Sequence, residues 1–319
     1  MNIGCFGKLP IYADFIRHNA SSQEIRALDQ WFQEGIFWSQ RRLNKDWNSA
    51  FRNAPNYQFL YHPLNSKHAL LGVCAPNQDK GGRRYPFLIF VSIDLSQFRS
   101  HLPFVPAIFS GFLSRAGEII QKGWMDTDVK GLISKINQIS LPAYSSLDEF
   151  QQGYIEYLKT QTNQGFWEGL FGDFNDRKKY LVLHTLVEVL SPLRNQDPKR
   201  LTWGLKFPSS SRPEDQAHEI SLWIDIALHL LGNPSIVPNM FWSQGSVETG
   251  AGLFLYFREP SPKSYIHLLC PDTEDESLCD LARSRMKLTD PIIQKYKSLL
   301  DTPDISLKDL LSQIKGIAG

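Results

Sequence analysis

Cysteine is scarce in this sequence of 319 residues and is not arranged in pairs. The four cysteines are Cys5, Cys74, Cys270 and Cys279. Cysteines scattered in this way favour free thiols in a reducing compartment over a disulfide framework. His267 lies close to Cys270 and Cys279, but no fourth ligand with zinc spacing accompanies them. We therefore predict no metal site and no other cofactor.

An excess of charge of either sign is also missing. Lys and Arg number 34 and Asp and Glu number 33, so the formal net charge is +1. A protein that binds nucleic acid by bulk electrostatics presents a basic stripe. The basic clusters here are short, such as Arg177-Lys178-Lys179, and are typical of a solvated surface. We expect no nucleic-acid partner.

Long hydrophobic runs are absent from the sequence. The longest apolar stretches, such as residues 87–93, are far shorter than the ~20 residues that a membrane-spanning helix needs. The first residues lack the basic and then apolar regions of a signal peptide. We therefore expect a cytoplasmic protein without direct insertion into a membrane.

Recognisable catalytic motifs are missing as well. The sequence contains neither a Gly-x-Ser-x-Gly elbow nor a His-Glu-x-x-His pair. Its eight histidines are dispersed, and none has a Ser or Cys context that would support nucleophilic catalysis. The residues alone therefore favour a protein that is not an enzyme.

The patterns that are present predict helices interspersed with buried strands. Apolar and aromatic runs predict strands at residues 57–61, 69–75, 85–93, 201–207, 240–242, 252–257 and 265–269. Helical spacing or capping predicts helices at residues 22–43, 103–122, 219–231, 278–286 and 305–317, and a mostly helical stretch at 126–190. Helices mixed with buried strands predict an α/β fold, a layered α-β-α sandwich with a mixed sheet.

The first predicted helix has a capping box, in which Ser21 caps the N-terminus and Glu24 reaches back. Its apolar face is expected to include Trp31 and Trp38. At the other end of the chain, residues from Pro271 onward are polar and helical by pattern, so we expect the core to remain folded without them. The resulting division is 1–125 (an N-terminal α/β region), 126–200 (helical), 201–270 (the C-terminal part of the α/β fold) and 271–319 (a polar helical tail).

Two glycine-bearing segments combine residue types that packing alone does not require. The first is Gly7-Lys8-Leu9-Pro10-Ile11-Tyr12-Ala13-Asp14-Phe15-Ile16-Arg17, and the second is Asp79-Lys80-Gly81-Gly82-Arg83-Arg84-Tyr85-Pro86. Neither has the form of a phosphate-binding P-loop. The arginines of the second segment either bind a carboxylate or phosphate or form an internal ion pair, for which Arg83 with Asp14 or Asp79 is our prediction.

A third segment, in the predicted helix 219–231, combines apolar residues with one carboxylate. Trp223 and the later Trp242 are expected in the core, whereas Asp225 is either buried and hydrogen-bonded or at the edge of the helix.

Taken together, the first two segments resemble the signatures of the TagF (ImpM) family of type VI secretion-associated proteins. The family opening has the form Gly-Lys-Leu-Pro-x-x-Gly-Asp-Phe, and its second signature has the form Asp-x-x-Gly-Arg-x-Phe-Pro. Ala13 stands where the family has glycine, and Tyr85 where it has phenylalanine. If the backbone at residue 13 needed a positive φ, alanine would cost stability there. Residues 220–270 also resemble the C-terminal region of longer members.

The resemblance implies an α/β sandwich and a post-translational repressor of type VI secretion that binds the system's forkhead-associated scaffold protein. The motif residues that would form a partner-binding or structural site are Gly7, Lys8, Pro10, Asp14, Phe15, Asp79, Gly82, Arg83, Arg84 and Pro86. Two alternatives remain open: a small-ligand-binding protein or hydrolytic enzyme that uses a cleft at Asp14 and Arg83, and a chaperone of the secretion baseplate. The oligomeric state is left open.

Overall fold

One mixed β-sheet forms the centre of the molecule in the computed structural model. The structure describes residues 2–142, 147–210, 212, 215–233, 236–243 and 252–317. Within these residues the strands are β1 (Ile3–Gly7), β2 (Ile16–His18), β3 (Tyr57–Tyr61), β4 (His68–Ala75), β5 (Phe87–Asp94), β6 (Gly204–Pro208), β7 (Asn239–Trp242), β8 (Gly252–Tyr256) and β9 (Leu278–Asp280). Their order in the sheet is β2-β1-β5-β4-β3-β7-β8-β6-β9.

Neighbouring strands are antiparallel except for β6 and β9, which are parallel. The predicted strands 69–75 and 85–93 form a hairpin, because β4 and β5 pair along their full length from His68 with Asp94 to Ala75 with Phe87. The pairing of β3 with β7 joins strands of the N-terminal region to strands of region 201–270 in the same sheet.

Helices cover both faces of this sheet. They are α1 (Gln23–Leu43), α2 (Trp47–Asn53), α3 (Leu95–Phe98), α4 (Val105–Ile108), α5 (Ser110–Glu118), α6 (Val129–Asn137), α7 (Leu147–Thr160), α8 (Asn163–Phe171), α9 (Lys178–Leu190), α10 (Gln216–Leu231), α11 (Ile266–Leu269), α12 (Asp290–Leu300) and α13 (Leu307–Ile317). No helix within the described part of the chain is long and apolar enough to cross a membrane.

Alternate residues of the central strands face two separate hydrophobic clusters. In β5, Leu88 and Phe90 pack with Ile25 and Phe32 of α1. Ile89, between them, faces the larger cluster, to which α5, α9 and α10 contribute. A strand that is buried on both faces has a continuous apolar sequence, as β5 does. The predicted α-β-α sandwich is therefore confirmed.

Several local predictions need correction. The cap of α1 is Ser22, which accepts a hydrogen bond from the amide of Ile25, and not Ser21. The predicted strand 265–269 is helical, since a short apolar run does not distinguish a buried strand from a buried helix. The predicted helix 278–286 instead begins with β9, which the parallel pairing with β6 holds extended. The predicted helix 103–122 is broken into α4, α5 and a π-helical turn at Ile119–Gly123.

The C-terminal tail also differs from its prediction. Its buried residues, which include Tyr296, Leu300, Leu307 and Ile314, belong to the larger hydrophobic cluster. Asn163 of α8 donates side-chain hydrogen bonds to the carbonyl oxygens of Leu300 and Thr302. The tail is thus integrated into the core, and the expectation that the core folds without it loses its physical basis.

Candidate functional site

The two signature segments meet at one edge of the sheet. The first follows β1, which ends at Gly7, and the second leads into β5, which begins at Phe87. Gly7 and Phe87 are partners in the antiparallel pairing of these strands, so both loops emerge at the same place. We call the surface formed by residues 8–15 and 79–86 the signature-loop surface.

A buried carboxylate lies at the centre of this surface. Asp79 is 1% exposed, and Lys8, itself 6% exposed, donates to its Oδ2 at 2.9 Å. Arg83 donates to the same oxygen through Nε at 2.7 Å. The other oxygen, Oδ1, accepts the backbone amides of Gly81 and Arg83, both at 2.9 Å. Four donors therefore satisfy the carboxylate, as a buried charge requires.

These contacts set the ionisation of Asp79. Burial by itself raises the pKa of the carboxyl, but the hydrogen bonds from Lys8 and Arg83 favour the charged form and outweigh it. The net pKa of Asp79 lies well below its usual range. The carboxylate therefore stays charged at any physiological pH and links the two loops permanently.

Two hydrogen bonds to backbone carbonyl oxygens complete the connection between the loops. The amide of Lys80 donates to the carbonyl oxygen of Tyr12 at 2.9 Å. The Nη2 atom of Arg83 donates to the carbonyl oxygen of Ala13 at 2.5 Å. Because each loop supplies partners for the backbone of the other, neither is free to move independently.

An aromatic cluster packs against the first loop. The rings of Phe6 and Phe15 are stacked with centroids 5.3 Å apart, and Tyr85 meets Phe15 edge-on at 4.9 Å. The guanidinium of Arg17 lies 4.8 Å from the centroid of Phe6. The hydroxyl of Tyr85 donates to the carboxylate of Asp29 in α1 at 2.5 Å, so the signature loops are also attached to this helix.

The predicted pair of Asp14 and Arg83 forms, but it is not buried. Their nearest side-chain atoms are 4.0 Å apart, and the side chains are 74% and 61% exposed. The stronger partner of Arg83 is Asp79, the second of the two alternatives. Lys8, to which we assigned no partner, makes the buried ion pair. Asp14 itself accepts the amide of Phe15 at 2.8 Å and so shapes its own loop.

The remaining predicted site residues have structural contacts. Gly82 has a φ of +81°, which an L side chain rarely adopts. Arg84 donates to the side chain of Asn48 at 2.6 Å, and Pro86 is buried with its carbonyl oxygen facing Gly7. Pro10 is partly exposed near Tyr12, a residue that we did not single out although its ring is 47% exposed. An aromatic residue in a loop of this kind was the available signal.

Residues 4–139 match the family model of the TagF N-terminal domain, described as type VI secretion system-associated. This part of the chain is a TagF N-terminal domain. The match contains both signature loops and ends just after α6. Residues 4–139 therefore belong to a type VI secretion-associated family, and the resemblance drawn from the sequence is confirmed over these residues.

A structure search extends the likeness in fold beyond the TagF N-terminal domain. The crystal structure of PA0076 from Pseudomonas aeruginosa PAO1 matches with a TM-score of 0.50 and 15% sequence identity. The alignment covers 86% of this chain and 96% of that protein. At this identity the likeness shows the fold alone. A comparison with curated proteins found no match.

Ala13, which departs from the glycine of the TagF signature, causes no strain in this chain. It is not among the described residues with positive φ. Within the two signature segments, the residues with a positive φ are Gly7 and Gly82. The stability cost that would follow from a left-handed alanine therefore does not apply.

The other predicted features are structural. Trp223 and Trp242 are in the core, as predicted. Asp225 is partly exposed and pairs with Lys315 of α13 at 3.1 Å, which joins α10 to the tail. His267 is fully buried, with its Nε2 3.2 Å from Asp275 and 3.0 Å from Ser277. Among the described residues no group of His, Cys, Asp or Glu has the geometry of a metal site.

The signature-loop surface presents exposed side chains on a backbone that is held in place. Tyr12, Asp14, Lys80 and Arg83 present exposed side chains, and the ionic contacts of Asp79 hold their backbone. Asp14 and Arg83 lie on an open part of this surface rather than in a cleft, as their exposure shows. A loop whose backbone is already held in place loses less conformational entropy on binding a partner than a mobile loop does.

Proposed function

We propose that this chain represses assembly of the type VI secretion system after translation, by binding a cytoplasmic forkhead-associated scaffold protein. The observation that carries the proposal is the signature-loop surface, on which both family motifs present exposed side chains from loops that the buried Asp79 joins. The TagF N-terminal domain supports the connection with type VI secretion. In this proposal the chain is a binding protein in the cytoplasm and not an enzyme.

The expected contribution of each residue follows from its environment. Tyr12 is a large, half-exposed aromatic residue, and aromatic and Arg side chains are enriched among residues that carry binding energy. Asp14 and Arg83 provide charges of opposite sign about 4.0 Å apart. Such a pair fixes the orientation of a partner with complementary charges. Lys8 and Asp79 are expected to act indirectly, by holding the loops in place.

The test is a binding measurement between the purified chain and the purified scaffold protein. We expect Tyr12→Ala and Arg83→Ala each to weaken binding on the order of tenfold or more. The control is Lys308→Ala, which removes an exposed charge from α13 without touching the signature loops. Failure of the wild-type chain to bind the scaffold, or equal losses for the control, would refute the proposal.

A further inference from the structure

The solvent side of α1 carries aromatic residues where a soluble helix normally carries polar ones. Phe37 is 53% exposed and Trp38 is 44% exposed, although we expected Trp38 on the buried face. Together with the exposed Glu34 and Arg41 they form a stripe with spacing i, i+3, i+4, i+7. Exposed aromatic residues on such a stripe depart from the pattern of a helix that has only a core to bind, and they indicate an interaction site.

Cations lie against these rings. The Nζ atom of Lys263 is 5.4 Å from the ring centroid of Trp38, and the guanidinium of Arg41 is 5.4 Å from that of Phe37. Within the described part of the chain, no ion pair is formed by Arg41 or Lys263, whereas Arg42 is paired with Asp275. The two cations thus remain available to an anion on an otherwise nearly neutral protein.

A groove of about 330 Å³ opens beside the aromatic stripe. It is lined by Trp38, Ser39, Arg41, Arg42, Lys263 and Ile266. Ser39 is 1% exposed, and its hydroxyl has no hydrogen-bond partner among the described residues. A buried hydroxyl without a partner is costly, and native structures rarely keep one without a reason.

We propose that this groove binds an acidic segment of a protein partner. A Glu or Asp carboxylate of the segment lies between Arg41 and Lys263, and an adjacent apolar side chain packs against Trp38. Ser39 donates its hydroxyl to an oxygen of the segment that reaches the floor of the groove. The combination of cations, aromatic rings and an apolar wall selects a peptide that is both acidic and apolar, rather than a simple anion. The proposal does not depend on the function of the signature-loop surface.

The test uses the full chain and a fluorescein-labelled peptide of twelve residues in which Glu and Leu alternate. We expect fluorescence anisotropy to show binding at least about tenfold tighter than to matched peptides with Gln or Lys in place of Glu. Lys263→Glu and Trp38→Ala should each weaken binding on the order of tenfold. The control Lys308→Glu makes the same change of charge on α13 and should leave the affinity unchanged.

Ser39→Ala separates a binding role from a structural one. Removal of an unpaired buried hydroxyl should leave the melting temperature unchanged or higher, and it should weaken binding of the Glu-Leu peptide severalfold. The proposal is overturned if the wild-type chain does not bind that peptide or if the Gln peptide binds as tightly. It is likewise overturned if Lys308→Glu weakens binding as much as Lys263→Glu, or if duplex DNA or anionic vesicles bind as tightly as the peptide.

Discussion

Gly7 and the carbonyl oxygen of Pro86 approach so closely that a Cβ atom on Gly7 would lie 2.0 Å from this oxygen. The contact joins the two signature loops at the point where β1 and β5 end their pairing. Gly7 also has a φ of +129°. Glycine is therefore required here by both the backbone conformation and the space.

Gly7→Ala should be strongly destabilising. Left-handed strain and a clash with fixed backbone atoms together should lower the free energy of unfolding by at least ~3 kcal/mol. Gly82→Ala is the matched control, because Gly82 has a φ of +81° but no atom within 4 Å of its Cβ position. Gly82→Ala should lower the free energy of unfolding by only about 1 to 2 kcal/mol. Urea denaturation of both variants makes the comparison, and equal losses would show that the contact with Pro86 does not matter.

Substitutions around Asp79 should follow the order of burial of its partners. Lys8→Met leaves a buried carboxylate without its buried cation and should lower the melting temperature most. Arg83→Ala should lower it less, since the side chain is 61% exposed and Lys8 remains. Arg84→Ala removes only a hydrogen bond to Asn48 and should lower it least. A melting temperature for Arg83→Ala below that of Lys8→Met would contradict this account of the loops.

The stability of the protein should depend on Glu219 of α10 between about pH 4.5 and 7. Burial raises the pKa of Glu219 to about 7, although the amide of Ser210 donates to its carboxylate at 3.0 Å and opposes the rise. The unfolded carboxyl titrates near 4.5, so the folded state holds the proton more tightly in this range. The stabilising contribution is complete below pH 4.5 and is lost as pH rises through 7, on the order of 3 kcal/mol in all.

Glu219→Gln checks this dependence, because it keeps the shape of the side chain and removes the titration. His218 and His267, whose pKa values burial lowers, contribute a slope of opposite sign near pH 6.5 in both proteins. The difference between wild type and variant cancels that slope. In urea denaturation from pH 4.5 to 8, the variant should gain stability relative to wild type with rising pH. A constant difference would exclude a buried neutral Glu219.

The tail should be essential for folding. Deletion of residues 271–319 removes β9 from the sheet and Tyr296, Leu300 and Leu307 from the core, so the remaining chain should lose its cooperative melt. A single substitution tests the same point: Leu307→Ala should lower the free energy of unfolding by about 2 to 5 kcal/mol. The neighbouring exposed Lys308→Ala should stay within ~0.5 kcal/mol of wild type. A cooperative melt of the deleted chain would restore the sequence-based expectation of a separable tail.

The sequence predicts those parts of the fold that depend on local patterns. Gly232 directly follows the predicted helix 219–231 and ends α10 with a φ of +67°, because a glycine after the last apolar turn of a helix is a local signal for a left-handed C-cap. The strands of the hairpin β4–β5 follow equally from continuous apolar runs. The pairing of β9 with β6 was missed, because it joins segments more than 70 residues apart and Leu278 has no strand pattern around it.

The candidate site was likewise predicted only in part. The family motifs identified the two loops of the signature-loop surface, but the side-chain partners depend on how these loops are placed in three dimensions. Lys8 and Asp79 are 71 residues apart, and nothing near Lys8 indicates that its ammonium group is buried. Trp38 was assigned to the apolar face of the predicted helix, and only the structure shows that its side chain is 44% exposed.

If the chain is a stoichiometric repressor, the strength of repression should follow its copy number. A protein that acts by occupying the scaffold needs about one copy per scaffold copy, because it does not turn over. Overproduction should then silence secretion of the tube protein, and deletion should increase it. Tyr12→Ala and Arg83→Ala should weaken repression in graded steps that follow their effect on binding, and raised expression should compensate for each.

An enzyme would act at trace amounts, and one substitution at unchanged stability would abolish its effect at any expression level. The measurement is repression against cellular copy number for wild type, both variants and Lys308→Ala. Full repression at copy numbers far below that of the scaffold would exclude the stoichiometric mechanism and favour catalysis.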